Sequence, residues 1–126
     1  MGESLHAIFE RDCCTAFRRL VDVYGFAEPV IEPLGREIFV RYLKGYREVS
    51  ISYEPGASPL VELFYPSSET GDRPTPWAEE DGVQRSRRFP RLQVAETFSE
   101  KDPTSFARFL DASAKALERV EPAFLK

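Results

Sequence analysis

The chain has 126 residues, 42% hydrophobic and 30% charged, the make-up of one globular domain long enough to bury a real core. Its 17 Lys and Arg stand against 21 Asp and Glu, a net charge of −4, which disfavours nucleic acid and anionic membrane surfaces as partners. No apolar run approaches the roughly 20 residues that span a bilayer, no basic-then-apolar leader opens the chain, and the two Cys are adjacent, so a cytoplasmic setting without disulfides is expected.

Residues 4–24 read as an amphipathic helix. Ser4 is placed to cap it, and Leu5, Phe9, Cys13, Phe17, Leu20 and Tyr24 form one apolar stripe, with Gly25 as the stop. Phe26 to Glu32 reads as a short strand whose Pro29, followed by Pro33, suits a sheet edge. Leu34-Gly35 turns the chain into the clearest period-two stretch, Arg36 to Tyr65.

Taking Lys44-Gly45 as a two-residue turn sets Arg41 opposite Glu48, Val40 opposite Val49 and Ile38 opposite Ile51. A second turn at Pro55-Gly56 sets Tyr53 opposite Val61, Ile51 opposite Leu63 and Val49 opposite Tyr65. The inner face is then Ile38, Val40, Val49, Ile51, Tyr53, Val61, Leu63 and Tyr65. On the otherwise polar outer face, Phe39 and Phe64 flank Ser50. Either another segment of the chain covers these two rings, or they belong to a partner-binding or dimer surface.

Pro66 to Lys101 carries a run of turn formers, an acidic cluster at Glu79, Glu80 and Asp81, and a basic one at Arg85, Arg87, Arg88 and Arg91 interrupted by Phe89-Pro90. It reads as an irregular segment with one helical turn at Pro76-Trp77, and Leu92 to Phe98 as a short strand or a turn. Trp77 and Phe89 are the residues expected to cover Phe39 and Phe64. Asp102-Pro103 opens a last helix, along which Phe106, Phe109, Leu110, Ser113, Leu117 and Val120 recur at helical spacing up to Pro122. The expected architecture is α+β, a single domain over 1–126. Helices at 4–24 and 103–121 pack on one face of a four-stranded antiparallel meander (26–66), with 67–101 irregular, as a two-layer sandwich.

The residues that do chemistry are sparse. His6 is the only histidine, and Cys13 lies two helical turns away, about 10.5 Å along the axis, too far to share a metal with it. Cys13 on the apolar stripe reads as a small hydrophobe, and the adjacent pair is no Cys-x-x-Cys redox motif. No nucleophile elbow, phosphate loop or dinucleotide fingerprint occurs, so no catalytic, cofactor or metal residue is assigned. Arg and aromatic side chains together suit an acidic protein surface or a single strand of nucleic acid, and the acidic whole chain favours protein.

The helix end Val23-Tyr24-Gly25-Phe26, the strands with Val40-Arg41-Tyr42 and Val49-Ser50-Ile51-Ser52-Tyr53-Glu54, and the closing helix resemble small bacterial cytosolic proteins, some similar to immunity proteins of polymorphic toxin systems. The resemblance covers residues 5–65 and 103–120 and implies a protein-binding module that blocks a toxin. The size, acidity and terminal helices are also similar to type III secretion chaperones, which place a helix between their strands; here it would fall at Trp77 to Gln84. The function expected is non-catalytic binding of another protein, through Phe39, Phe64, Trp77, Arg85, Arg87, Arg88, Phe89 and Arg91. A homodimer, a small-ligand-binding protein and an enzyme remain open alternatives.

Overall fold

The structure is a computed structural model that describes residues 4–126. Two short helices, α1 (Leu5–Ala16) and α2 (Arg18–Asp22), lead into β1 (Val30–Leu34), β2 (Glu37–Lys44), β3 (Arg47–Tyr53) and β4 (Leu60–Pro66). A single turn of helix, α3 (Ser67–Thr70), precedes β5 (Glu79–Glu80) and β6 (Val83–Arg88), and the chain finishes with α4 (Thr104–Val120) and α5 (Pro122–Leu125). The strands form a curled antiparallel sheet in the order β1-β2-β3-β4-β6-β5.

The fold is α+β, but the sheet has six strands among the described residues, not four. The two additional strands come from the segment expected to be irregular. Pro76-Trp77 forms a turn, with Ala78 N–H donating to Thr75 O at 2.9 Å, and no helix occupies 77–84. Within that segment, 71–78 and 89–101 carry no strand or helix, Leu92 to Phe98 included.

The long N-terminal helix is also broken. Phe17 leaves helical geometry at φ −99° and ψ 15°. Just before it, the Thr15 hydroxyl donates to Arg11 O at 3.1 Å, a back-bond that tends to bend helices. The ends obey local chemistry. Ser4 Oγ accepts the Ala7 N–H at 3.1 Å, and Asp102 Oδ1 accepts that of Thr104 at the same distance, so each caps its helix from the position the sequence indicated.

The register of the meander differs from the expected one by two residues. The turns fall at Gly35-Arg36 and Gly45-Tyr46, with Leu34 opposite Glu37 and Lys44 opposite Arg47. Gly45 has φ +61° at the first turn position, which a II′ hairpin needs. Ile38 therefore faces Tyr53 and Val40 faces Ile51, while across the next ladder Ile51 faces Val61 and Val49 faces Leu63. A slip of two preserves which face each side chain occupies. Every residue expected on the inner face is buried, together with Tyr42.

That face joins Ile8, Phe9, Cys13, Phe17 and Leu20 from the N-terminal helices and Phe106, Leu110 and Leu117 from α4 in one core. Tyr53 is its aromatic hub, stacked on Phe9 at 5.5 Å and edge-on to Phe106 at 5.2 Å. Its hydroxyl donates to Glu100, which also accepts the Gly56 N–H and so ties the β3–β4 loop to the segment before α4. Lys44 Nζ donates to Tyr24 O (2.7 Å), Leu125 O (2.9 Å) and Lys126 O (3.0 Å), joining the sheet to α5 and to the end of the N-terminal helices.

Two outcomes test these ties. Lys44→Met leaves three carbonyls without their charged donor and should lower stability by about 1–3 kcal/mol, read from the urea midpoint. The hydrogen bonds from Tyr53 and Gly56 hold the Glu100 carboxyl below the ordinary glutamate value of 4.5. Its stabilisation is therefore full above that value and is lost as pH falls through the lower, folded-state value. Glu100→Gln should flatten the loss of thermal stability below about pH 4.5.

Candidate functional site

The outer face of the curled sheet holds a groove of about 460 Å³, open to solvent along one side. Its shape follows from side-chain size along the strands. Ser50 and Ser52 on the central strand β3 are small and lie buried at 3% and 7% exposure. The rows beside them rise: Phe39 and Leu60 flank Ser52, and Arg41 and Glu62 flank Ser50. In the next row Phe64 stands between Glu48 and Arg87.

After Val83, β6 is polar on both faces, so period two decides which arginine goes where. Arg85 and Arg87 point to the outer face and line the groove. Arg88 pairs with Leu63 on the opposite side of the strand and binds Glu121 at 2.7 Å, on a separate surface beside Tyr65. Arg91 lies exposed beyond Pro90, outside the groove. Of the eight expected partner-binding residues, Phe39, Phe64, Trp77, Arg85 and Arg87 therefore line one site. Phe89 adjoins it, and Arg88 and Arg91 lie outside it.

At one end of the groove Glu48, only 3% exposed, is clamped by two arginines. Arg41 holds it with both arms, Nη2 to Oε1 at 2.9 Å and Nε to Oε2 at 3.1 Å, and Arg85 Nη1 reaches Oε1 at 3.1 Å. The network continues outward to Glu32 (3.1 Å from Arg41) and Glu80 (3.4 Å from Arg85). Glu80 is thus part of an ion-pair network, and the acidic cluster is more than a solvated turn. Arg85 also lies over the Phe64 ring at 5.1 Å, so one half-buried phenylalanine is covered from within the chain, by an arginine instead of the Trp77 or Phe89 expected.

The rim is aromatic. Arg87 is sandwiched between Trp77 at 4.9 Å and Phe89 at 5.0 Å, and its contact with Glu62 is long, at 3.5 Å. Trp77 is 67% exposed and Phe89 49%. Glu62 is half-buried, and burial raises its carboxyl above the ordinary value; Arg87 opposes that shift, while the charges of Glu48 and Glu37 add to it.

The other chemistry-bearing residues lie elsewhere. His6 Nε2–H donates to Arg36 O at 2.7 Å. Cys13 is in the core, where burial pushes its thiol well up, and half-buried Cys14 is raised chiefly by burial as well. Among the described residues no three His, Cys, Asp or Glu are grouped to hold a metal, and no helix is long and apolar enough to cross a membrane. The chain matches no protein-family model, no curated protein and no solved structure.

The site residues that sequence reasoning did not assign include Glu48, Arg41, Ser50, Glu37 and Glu62; the first two read as a charge pair across the hairpin and the others as members of the outer face. The Asp81-Gly82 dipeptide was the available signal for β5 and β6, because it is a strong hairpin former. Breaking the buried pair tests the network. Glu48→Leu leaves buried Arg85 with only the longer contact to Glu80 and should cost about 3–5 kcal/mol in urea unfolding, and adding Arg85→Leu should recover much of that loss.

Proposed function

We propose that this chain is a non-catalytic protein-binding module that docks its partner on the outer face of the sheet, in the manner of an immunity-type inhibitor that covers a toxin. One observation carries the reading. An exposed Trp77–Arg87–Phe89 sandwich stands at the rim of a groove whose deepest charge, Glu48, is already saturated by two arginines. Tryptophan, arginine and large aromatics are the residues that concentrate binding energy at protein interfaces. Exposed Leu34 and Leu60, at 56% and 46%, extend the apolar area on the same face. Burying such rings against a partner recovers apolar area at about 25 cal/mol per Å² without first unfolding anything. The secretion-chaperone alternative has less support, since the interstrand helix it calls for is a strand pair.

One specific observation favours a second reading, small-ligand binding or proton-transfer chemistry in the same groove. Glu62 is a half-buried carboxyl that burial holds above its ordinary value, in a groove lined with other polar side chains. Under this reading Glu62→Gln abolishes a ligand-induced thermal shift in a metabolite screen. Under the first it leaves partner capture within a few-fold.

The deciding experiment is quantitative capture from native lysate with three baits: the wild type, Trp77→Ser/Phe89→Ser, and Val120→Ser on α4. The rim substitutions fall on exposed side chains and should leave circular dichroism unchanged. A partner held by wild type and by Val120→Ser but weakened at least about 30-fold by the rim variant is the expected result. A partner lost only by Val120→Ser would move the site to the helices and overturn the assignment.

A further inference from the structure

We infer that the outer groove receives a basic side chain, Arg or Lys, of the partner protein, between Glu62 and Glu37 and against the rings of Phe39, Phe64 and Trp77. This deepens the docking reading above and rests on it.

The charge inventory of the groove points to a cation. At its closed end Glu48, Glu32 and Glu80 meet Arg41 and Arg85, so both arginines are neutralised and one negative charge is left over. Along the rest of the groove Glu62 and Glu37 both line the wall, close enough that the charge of Glu37 acts on Glu62. The cation beside Glu62, Arg87, reaches it only at 3.5 Å, its guanidinium carbon lying between the rings of Trp77 and Phe89. Two half-buried carboxylates therefore lie in one groove that limits their access to water, with a single long arginine contact on Glu62. A second cation placed between them would relieve both their mutual repulsion and the desolvation of Glu62, which its raised pKa already registers.

The walls fit the same occupant. The aliphatic stem of an arginine or lysine packs on aromatic rings while its charged head reaches the acids, and ring faces attract the cation directly. An anionic segment would meet the uncompensated carboxylates first, and an apolar side chain would bury them without a partner. The chain as a whole carries −4, which would also speed the approach of a basic surface. A protein is favoured over a free organic cation because the groove is open along one side, with exposed Leu34 and Trp77 on its border to extend the contact.

Trp77 is the only tryptophan of the chain and lines the groove, so it reports occupancy. The test titrates the full chain with three blocked pentapeptides, Gly-Arg-Gly-Arg-Gly and its Glu and Leu analogues. It follows Trp77 fluorescence and the backbone amide shifts of Ser50, Ser52 and Phe64. The expected result is a saturable response to the Arg peptide alone, weakened by added salt and reduced roughly tenfold in Glu37→Gln/Glu62→Gln. Glu37→Gln alone, at the half-exposed edge, should give part of that loss with the core amide spectrum unchanged. An Arg-peptide response that survives both substitutions would overturn the assigned acids. A response to the Leu or Glu peptide alone would overturn the cationic occupant and leave the outer face as a docking surface. Silence to all three would overturn the groove as a docking site, and with it the reading of the preceding subsection.

Discussion

The outer half of this molecule depends on one carboxylate. Glu48 sits on the central strand, almost without solvent, and two arginines from different parts of the sheet converge on it. Arg41 comes from the neighbouring strand and Arg85 from β6, two strands away, so a single acid ties the meander to the strand pair that completes the sheet. An acid buried this deeply is tolerated because its oxygens are engaged by charged donors, and each arginine has a further acid on its outer side. Such a network adds little net stability over an apolar filling. What it supplies is position: it is satisfied only when β6 lies in one register, and β6 has no apolar pattern to choose that register for itself.

The inner half is held differently. Its core is aromatic and aliphatic, centred on Tyr53, and the polar ties around it, from Lys44 and Glu100, fasten loops and chain ends instead of setting strand order. The two faces of the same strands thus divide the task. One face supplies the burial that drives folding. The other is free to carry charge, small residues and exposed rings, and the groove is a product of that freedom.

This division also accounts for what could be read in the sequence. Strands β2 to β4 and both main helices were legible because one side of each is apolar at a clear period. The β2–β3 register differs from the expected one by two because Gly45 is the first turn residue and not the second. Side-chain faces survived the error because a pleat repeats every two residues. β6 was not legible, since after Val83 the strand from Gln84 to Arg88 is polar at every position, and an ordinary burial pattern never appears in it. Yet Asp81 and Gly82 both take positive φ, at 51° and 78°, as an Asp-Gly I′ turn requires, and that dipeptide is a hairpin signal that needs no help from hydrophobicity. For the same reason the four arginines could not be sorted by sequence. Only the strand assignment separates Arg85 and Arg87 from Arg88, and only Pro90, which ends the strand, separates Arg91.

The β5–β6 arm joins the rest of the sheet through four residue pairs with β4, at Leu63 to Pro66, and brings few apolar side chains to the core. Its attachment rests on those ladder bonds and on the Glu48 clamp more than on apolar burial, the condition under which a segment opens ahead of the core. The arm carries Arg85 and Arg87, and the turn leading into it carries Trp77, so the groove exists as a site only in the closed state. Whatever binds there meets an affinity scaled by the closed fraction, and in binding it raises that fraction. Occupancy of the groove and ordering of the arm are therefore coupled, and a change at buried Glu48 would retune affinity from the floor of the groove, leaving the exposed rim of Trp77 and Phe89 unchanged.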